Sequence, residues 1–333
     1  MKCTNKKSKF TAFLLLAAIS LSCFGCGKNE FPDRYSVTKT SEKLGILQGT
    51  APETGGYSLF SDSLCLPETS DSDPSKAPDV PVTTYSAALF DETSHETLYN
   101  YQMLKKVYPA STTKIMTALV ALDIGNIDQK ITCTDEIKNV SADSSLANVK
   151  PGDTLTLKQL LYGLLLPSGN DAAIAIATGL SGSVDAFVEK MNEKAVSLGA
   201  TGTHYITCNG LPDPDHYTTA YDMYLIFRAA LKNKDFMEII STKEFKADFT
   251  SADGSAASLT WHNTNRYFTG KTKIPKGITV IGGKTGTTGE ARYCLVQLSR
   301  NEEGHDLISC VFGADCAYNL YLDTSELLQI KSE

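Results

Sequence analysis

Hydrophobic and polar positions along this chain fall into three regimes. Residues 10–24 are predominantly apolar. Residues 27–81 hold few aliphatic side chains and no sustained period, a composition too poor in apolar surface to drive folding. From Val82 onward, short periodic runs follow one another. Residues 84–90 have strand composition, and 96–101 are placed to pair with them as a hairpin. Residues 111–123 predict a helix with Ile115, Leu119 and Leu122 along one stripe. Residues 156–166 predict a second helix, stopped by Pro167. The run 171–179 is small and apolar, as in a buried helix, and 184–198 is amphipathic. Another helix is expected over 218–231 and a closing one over 318–330, with strands at 278–282, 293–298 and 306–313 between them. Two early strands, a block of helices and three late strands predict an α+β fold. Its central antiparallel sheet would be built from both chain ends and flanked by helices, with a helical subdomain.

The apolar run near the N-terminus is preceded by Lys2, Lys6, Lys7 and Lys9 and is too short to span a bilayer comfortably. Residues 1–26 therefore read as a signal peptide with a lipoprotein-like cysteine. A small residue precedes cysteine at Gly25-Cys26 and at Ser22-Cys23, and the stretch does not choose between them. Residues 27–81 are expected to form a flexible tether and residues 82–333 the folded domain. A net charge of −7 and a pI near 5.4 argue against a nucleic-acid partner. Export permits disulfides, yet Cys133, Cys208, Cys294, Cys310 and Cys316 are scattered and odd in number. They read as small buried hydrophobes. Neither a Cys-x-x-Cys pair nor ligand-spaced histidines occur, so no metal and no cofactor are expected.

Chemistry concentrates in three motifs. Ser111-Thr-Thr-Lys114 opens a strongly hydrophobic helix. Residues three apart share one helical face, which brings the lysine amine to the serine hydroxyl. A serine needs a base beside it to act as a nucleophile, and a desolvated lysine can be that base. The pattern alone is weak, because Ser36-Val-Thr-Lys39 matches it within the expected tether. Ser168-Gly-Asn170 follows Pro167 between two apolar helices, where a polar triplet is costly unless it faces a cleft. Ser168 could relay a proton, and Asn170 could hydrogen-bond an amide. A plain helix start is the competing reading. Ser299-Arg-Asn301 also matches Ser-x-Asn and reads as a turn. Lys284-Thr285-Gly286 occurs once. Lys284 offers charge to a carboxylate, Thr285 a hydroxyl and Gly286 close approach. Here the bland alternative is a lysine-protected sheet edge.

The order Ser-x-x-Lys, Ser-x-Asn, Lys-Thr-Gly is that of the β-lactamase and penicillin-binding group. Residues 211–223, His262-Asn-Thr-Asn265 and 283–296 further resemble the serine-type D-alanyl-D-alanine carboxypeptidases, the low-molecular-mass penicillin-binding proteins. The resemblance covers about residues 82–320 and implies a β-lactamase/DD-peptidase-like fold. It implies attack of Ser111 on the terminal D-Ala-D-Ala bond of a peptidoglycan stem peptide, through an acyl-enzyme. It also implies an oxyanion hole from the Ser111 and Thr287 amides, substrate binding by Asn170, Lys284, Thr285, Gly286 and Thr287, and acylation by β-lactam antibiotics. The expected place of work is the outer face of a bacterial cytoplasmic membrane, reached through the N-terminal lipid anchor, which would replace a C-terminal one. Two positions depart from the family pattern. Thr287 stands where an aromatic or histidine is common, and Arg292 where glycine is common. Two other readings stay open. One is a class A-like β-lactamase, which needs an extra glutamate; Glu189 and Glu193 fall in an amphipathic helix, and the later loop offers only Asp213 and Asp215. The other is a non-catalytic penicillin-binding sensor lipoprotein.

Overall fold

The computed structural model describes residues 63–67, 70–140 and 144–331. Cys23, Cys26 and the Ser36 motif lie outside the described residues.

Two antiparallel sheets frame the molecule. The larger runs β2-β1-β9-β8-β7 and is made from both chain ends, as the sequence predicts. Its strands are β1 (Ser86–Asp91), β2 (Glu96–Tyr101), β7 (Thr279–Thr288), β8 (Arg292–Arg300) and β9 (Asp306–Ala314). Strand side chains alternate between faces, and here both faces are covered. Ala87, Leu89, Leu307 and Val311 join the core under the C-terminal helix. Ala88, Phe90, Ile308, Cys310 and Phe312 join the main core beneath the helical block. That double burial explains why β1 and β9 read as continuous apolar runs.

The helical block holds α1 (Lys114–Ile124), α2 (Leu157–Leu165), α3 (Asn170–Ser181), α4 (Val184–Ser197), α5 (Ala220–Leu231) and α6 (Lys234–Ser241). The C-terminal helix α7 is Ala317–Leu327. In α1, Lys114 to Ala121 are all buried, so the helix is enclosed on every side and its apolar stripe is only one part of that. Regular α-helix begins at Lys114, since Ala110–Thr113 form a 3-10 turn.

The smaller sheet runs β3-β4-β5-β6, from Lys130–Thr132, Thr154–Thr156, Glu244–Thr250 and Ala256–His262. None of these strands was predicted. Glu244–Thr250 and Ala256–His262 are largely exposed and polar along one face, which hides them from a hydrophobicity reading. β7 also extends six residues past the expected end at Gly282, through the whole Lys-Thr-Gly motif.

The tether expected over 27–81 ends earlier than Val82. Cys65 is fully buried in the main core. Tyr221 donates its hydroxyl to the Cys65 carbonyl at 3.1 Å, the Cys65 amide donates to the Tyr224 hydroxyl at 3.0 Å, and Arg228 binds the Ser63 carbonyl. The three clamp residues lie along α5 at spacings of three, four and seven, one helical face. Glu92 accepts from both Tyr224 and Arg228 and orients them. This anchoring depends on side chains more than 150 residues downstream, which local composition does not reveal. All six described cysteines are free thiols, and five are buried, in keeping with their reading as small hydrophobes.

Candidate active site

Three elements converge on one cleft: the Ala110–Thr113 turn, the start of α3 and the exposed edge of β7. The turn is held from behind. Thr113 Oγ1 lies 2.9 Å from His216 Nε2. His216 Nδ1 accepts the Ile206 and Thr207 amides, so Nε2 carries the hydrogen and donates to Thr113. Burial pushes the His216 pKa down to about 4, which keeps the ring neutral. His216 is thus a strut for the turn and its neighbouring loop.

Lys114 is fully enclosed, and its Nζ has three oxygen neighbours. Ser111 Oγ lies at 2.9 Å, Asn170 Oδ1 at 2.7 Å and the Asn209 carbonyl oxygen at 2.6 Å. Burial lowers its pKa to about 7, partly opposed by the Cys208 and Asp171 charges. The geometry therefore suits a neutral amine. Two N–H groups satisfy Asn170 Oδ1 and the Asn209 carbonyl, which can only accept. The remaining lone pair faces the Ser111 hydroxyl. Asn209 was not singled out in the sequence; its contribution is a backbone carbonyl, which no residue type signals.

Gly286 lies directly against this turn. A Cβ built on it would stand 3.0 Å from the Ser111 nitrogen and 3.1 Å from the Pro109 oxygen. The edge of β7 is thereby brought beside the Ser111 amide. Thr285 Oγ1 pairs with Thr264 Oγ1 at 2.6 Å, and Thr287 Oγ1 turns back to the Gly286 oxygen at 2.8 Å. Lys284 is buried, with Nζ donating to the Thr285 oxygen at 2.9 Å. Burial and the charge of Lys114 hold its pKa well below the ordinary lysine value.

Ser168 occupies the left-handed region at φ 65, a strained setting for a non-glycine residue. Its Oγ is buried with no hydrogen-bond partner among the described residues. The structure brings Ser168 and Ser111 to the wall of one cavity without joining them by a hydrogen bond. The intervening Gly169 is required by packing, because a Cβ there would sit 2.7 Å from both the Ala147 nitrogen and the Gly163 oxygen. Asp171 fixes the same wall by accepting the Ala147 and Val149 amides at 2.7 and 3.1 Å. Trp261 is buried, and its indole donates to the Ala147 oxygen at 2.7 Å.

The cleft also exposes residues outside the three motifs. Arg266 lines a cavity of about 220 Å³ with Ser111, Ser168 and Thr285. Its guanidinium lies 5.8 Å from the Tyr321 ring centroid, and its backbone amide donates to the Tyr321 hydroxyl. Glu290 lines a second cavity of about 300 Å³ with Ser111, Asn170 and Asn209. Arg266 directly follows His262-Asn-Thr-Asn265, and Glu290 lies in the β7–β8 turn. Their sequence positions carry no motif signal. A larger cavity of about 550 Å³ lies on the small sheet between Lys130 and Asp248, away from all three motifs.

An enclosed Ser–Lys pair beside a sheet edge, with the sheet drawn from both chain ends, defines the β-lactamase/DD-peptidase-like class. Residues 72–316 match the peptidase S11 family, described as D-alanyl-D-alanine carboxypeptidase, and the chain belongs to that family. It is 36% identical over 236 residues to the D-alanyl-D-alanine carboxypeptidase DacF of Bacillus subtilis, covering 69% of this chain and 57% of that protein. It is 38% identical over 238 residues to DacB2 of Mycobacterium tuberculosis, covering 71% and 76%. The crystal structure of the Streptomyces K15 DD-transpeptidase superposes with a TM-score of 0.69 at 32% identity, covering 74% of this chain and 96% of that one.

Proposed function

We infer that the protein is a serine-type D-alanyl-D-alanine carboxypeptidase that trims the terminal D-alanine from peptidoglycan stem peptides. The observation that carries this reading is the 2.9 Å contact between Lys114 Nζ and Ser111 Oγ inside a buried, fully hydrogen-bonded setting. In the proposed cycle, Lys114 takes the Ser111 proton as Oγ bonds to the penultimate D-alanyl carbonyl carbon. The Ser111 and Thr287 amides receive the oxyanion. The C–N bond then breaks, and the proton passes from Lys114 through Ser168 to the departing amine. Water attacks the acyl-enzyme, gives its hydroxyl to the acyl carbon and returns a proton to Ser111 Oγ. Asn170 holds the acyl-side amide, and Thr285 lies on the leaving-group side. Penicillins present a similar acyl group to Ser111.

The class A-like β-lactamase reading finds no support in the two glutamates weighed for it in the sequence. Glu189 and Glu193 are exposed on α4 and line neither cavity. Slow loss of a penicilloyl adduct is expected; rapid penicillin hydrolysis would favour the β-lactamase. Acylation without peptidase turnover would favour the sensor.

The decisive assay is mass spectrometry of pentapeptide-containing peptidoglycan fragments before and after digestion. Loss of one D-alanine, abolished by Ser111→Ala, is the expected result; intact pentapeptide after prolonged digestion overturns the assignment. The substrate places the site of action outside the cytoplasm. We propose export through residues 1–26 and lipidation at Cys23 or Cys26, supported by the basic start and small-residue-Cys pattern. Palmitate labelling that persists in a Cys23→Ser, Cys26→Ser double variant would refute the anchor.

A further inference from the structure

Lys138, Lys158, Lys194 and Lys246 each lie beside a carboxylate. Lys105, Lys106 and Arg292 have no ion-pair partner among the described residues. Each lies over a tyrosine ring instead. Lys105 Nζ is 5.6 Å and the Arg292 guanidinium 4.5 Å from the centroid of one ring, Tyr85, and Lys106 Nζ is 3.8 Å from that of Tyr217. Two like charges sharing one ring repel each other, and all three cations are exposed. The acids on the flanking segments are turned to other groups. Asp315 accepts from Asn319 and Asp71 from the Gln102 amide, while Glu290 lines the cleft. In a chain of net charge −7, this is a local group of cations open to an external anion.

The strand register gathers these residues at one end of the larger sheet. Ala87 pairs with Tyr101, Ser86 with Phe312 and Tyr293 with Ala314. The start of β1, the end of β2, the start of β8 and the end of β9 are therefore neighbours. Large apolar side chains surface at the same end: Val82 is 83%, Tyr318 72% and Leu104 53% exposed. The Asp315 amide donates to the Thr83 carbonyl at 3.0 Å, which holds the start of α7 beside the turn that carries Val82. Exposed apolar side chains grouped in this way mark an interaction surface. Tyr293 and Ala317, which adjoin Arg292 and Tyr318 in the chain, line the cavity that holds Ser111. The face thus borders the mouth of the cleft.

We propose that this face docks on the surface of a bilayer that contains anionic phospholipid. The three cations match phosphate headgroups, the tyrosines match the level where headgroups meet acyl chains, and Val82 and Leu104 enter the acyl boundary. A soluble polyanion would satisfy the cations and leave those apolar side chains in water, so the combination selects a bilayer. The proposal rests on the extracytoplasmic placement given above and not on lipidation of the N-terminus. Docking holds the mouth of the Ser111 cleft close to the membrane plane.

The test is amide hydrogen exchange of the full-length chain, read by mass spectrometry over residues 102–106 and 315–319. It is run with vesicles of phosphatidylcholine alone, with vesicles of equal parts phosphatidylcholine and phosphatidylglycerol, and with soluble polyphosphate. Slower exchange in both segments on the anionic vesicles alone is the expected result, lost at high salt. A basic residue near an anionic surface strengthens docking about fivefold. Lys105→Gln with Lys106→Gln should therefore weaken docking about 25-fold and abolish the protection, with penicillin acylation unchanged. Tyr318→Ser, which keeps every charge, should weaken it as well. Equal exchange with and without anionic vesicles overturns the proposal, as does protection that survives the lysine double variant. Protection by polyphosphate equal to that by anionic vesicles, unmoved by Tyr318→Ser, also overturns it and assigns the face to a soluble polyanion.

Discussion

Gly286 and Ser111 meet backbone to backbone, so closely that a methyl group between them would have to push one of them aside by a few tenths of an ångström. A methyl group on Gly286 would press at 3.0–3.1 Å on the Ser111 nitrogen, the Ala110 Cβ and the Pro109 oxygen at once. None of these is a flexible side-chain end. Gly286→Ala is expected to displace the turn that presents Ser111 while leaving the distant core intact. Acylation by a fluorescent penicillin should slow by about tenfold or more, since small misplacements of reacting groups are costly. An unchanged acylation rate would show that the contact does not set the position of the nucleophile.

In the proposed cycle Lys114 sets the pH dependence. As a base it works when neutral, and its pKa lies near 7. Acylation should therefore rise with pH through about 7 and level off above it. Because the folded pKa lies below the unfolded one, stability also rises with pH between about 7 and the ordinary lysine range. Lys114→Met should abolish acylation and raise stability at neutral pH, by removing a buried group whose protonation the fold opposes. Stopped-flow acylation across pH 5–9, with urea unfolding of both proteins, checks the two halves separately.

Arg292 occupies the left-handed region at φ 56, which costs a side chain roughly 1–2 kcal/mol. Its guanidinium recovers part of that over the Tyr85 ring, 4.5 Å away, worth about 0.5–1 kcal/mol at an exposed site. Arg292→Gly is expected to raise unfolding stability slightly. In a Tyr85→Leu background, where the offset is absent, the gain should be larger. Equal effects in the two backgrounds would remove the ring from the account.

Asp323 is a stability switch away from the cleft. Burial, reinforced by Glu326, Asp79 and Asp315, lifts its pKa to about 7, against the lowering effect of Thr83. Thr83 Oγ1 lies 2.8 Å from both carboxylate oxygens and links the Val80–Thr83 helical turn to α7. A raised folded pKa contributes stability below the unfolded value, and that stability is lost as pH rises through about 7. Asp323→Asn should flatten the fall in melting temperature between pH 5 and pH 8. An identical fall in the variant would assign it to another group.

The legible parts of this molecule were those in which local sequence and final environment agree. The run of apolar residues after Ser111 announced a buried helix, and the three ordered motifs announced the cleft. Thr279–Thr288 was cut short because Gly282, Gly283 and Gly286 contradict strand propensity. The fold uses them because Ile240, Val296 and the Ser111 turn approach too closely for a Cβ. Glu244–His262 carries no strand signal because its hairpin buries little beyond Ala247 and Trp261. Cys65 reads as part of the tether because the α5 side chains that capture it are remote in sequence. Glu290 stands within a stretch noted for its resemblance, and Arg266 directly follows another. Only tertiary structure placed them at opposite ends of one cleft.

The hydrogen bond from Trp261 to Ala147 has a practical consequence. The chain contains one tryptophan, and its indole is tied to the wall that carries the Ser168 turn. Intrinsic emission excited at the indole band is therefore an optical gauge of a single place in the molecule. A change in its wavelength on mixing with a β-lactam would time the movement of that wall without any attached dye.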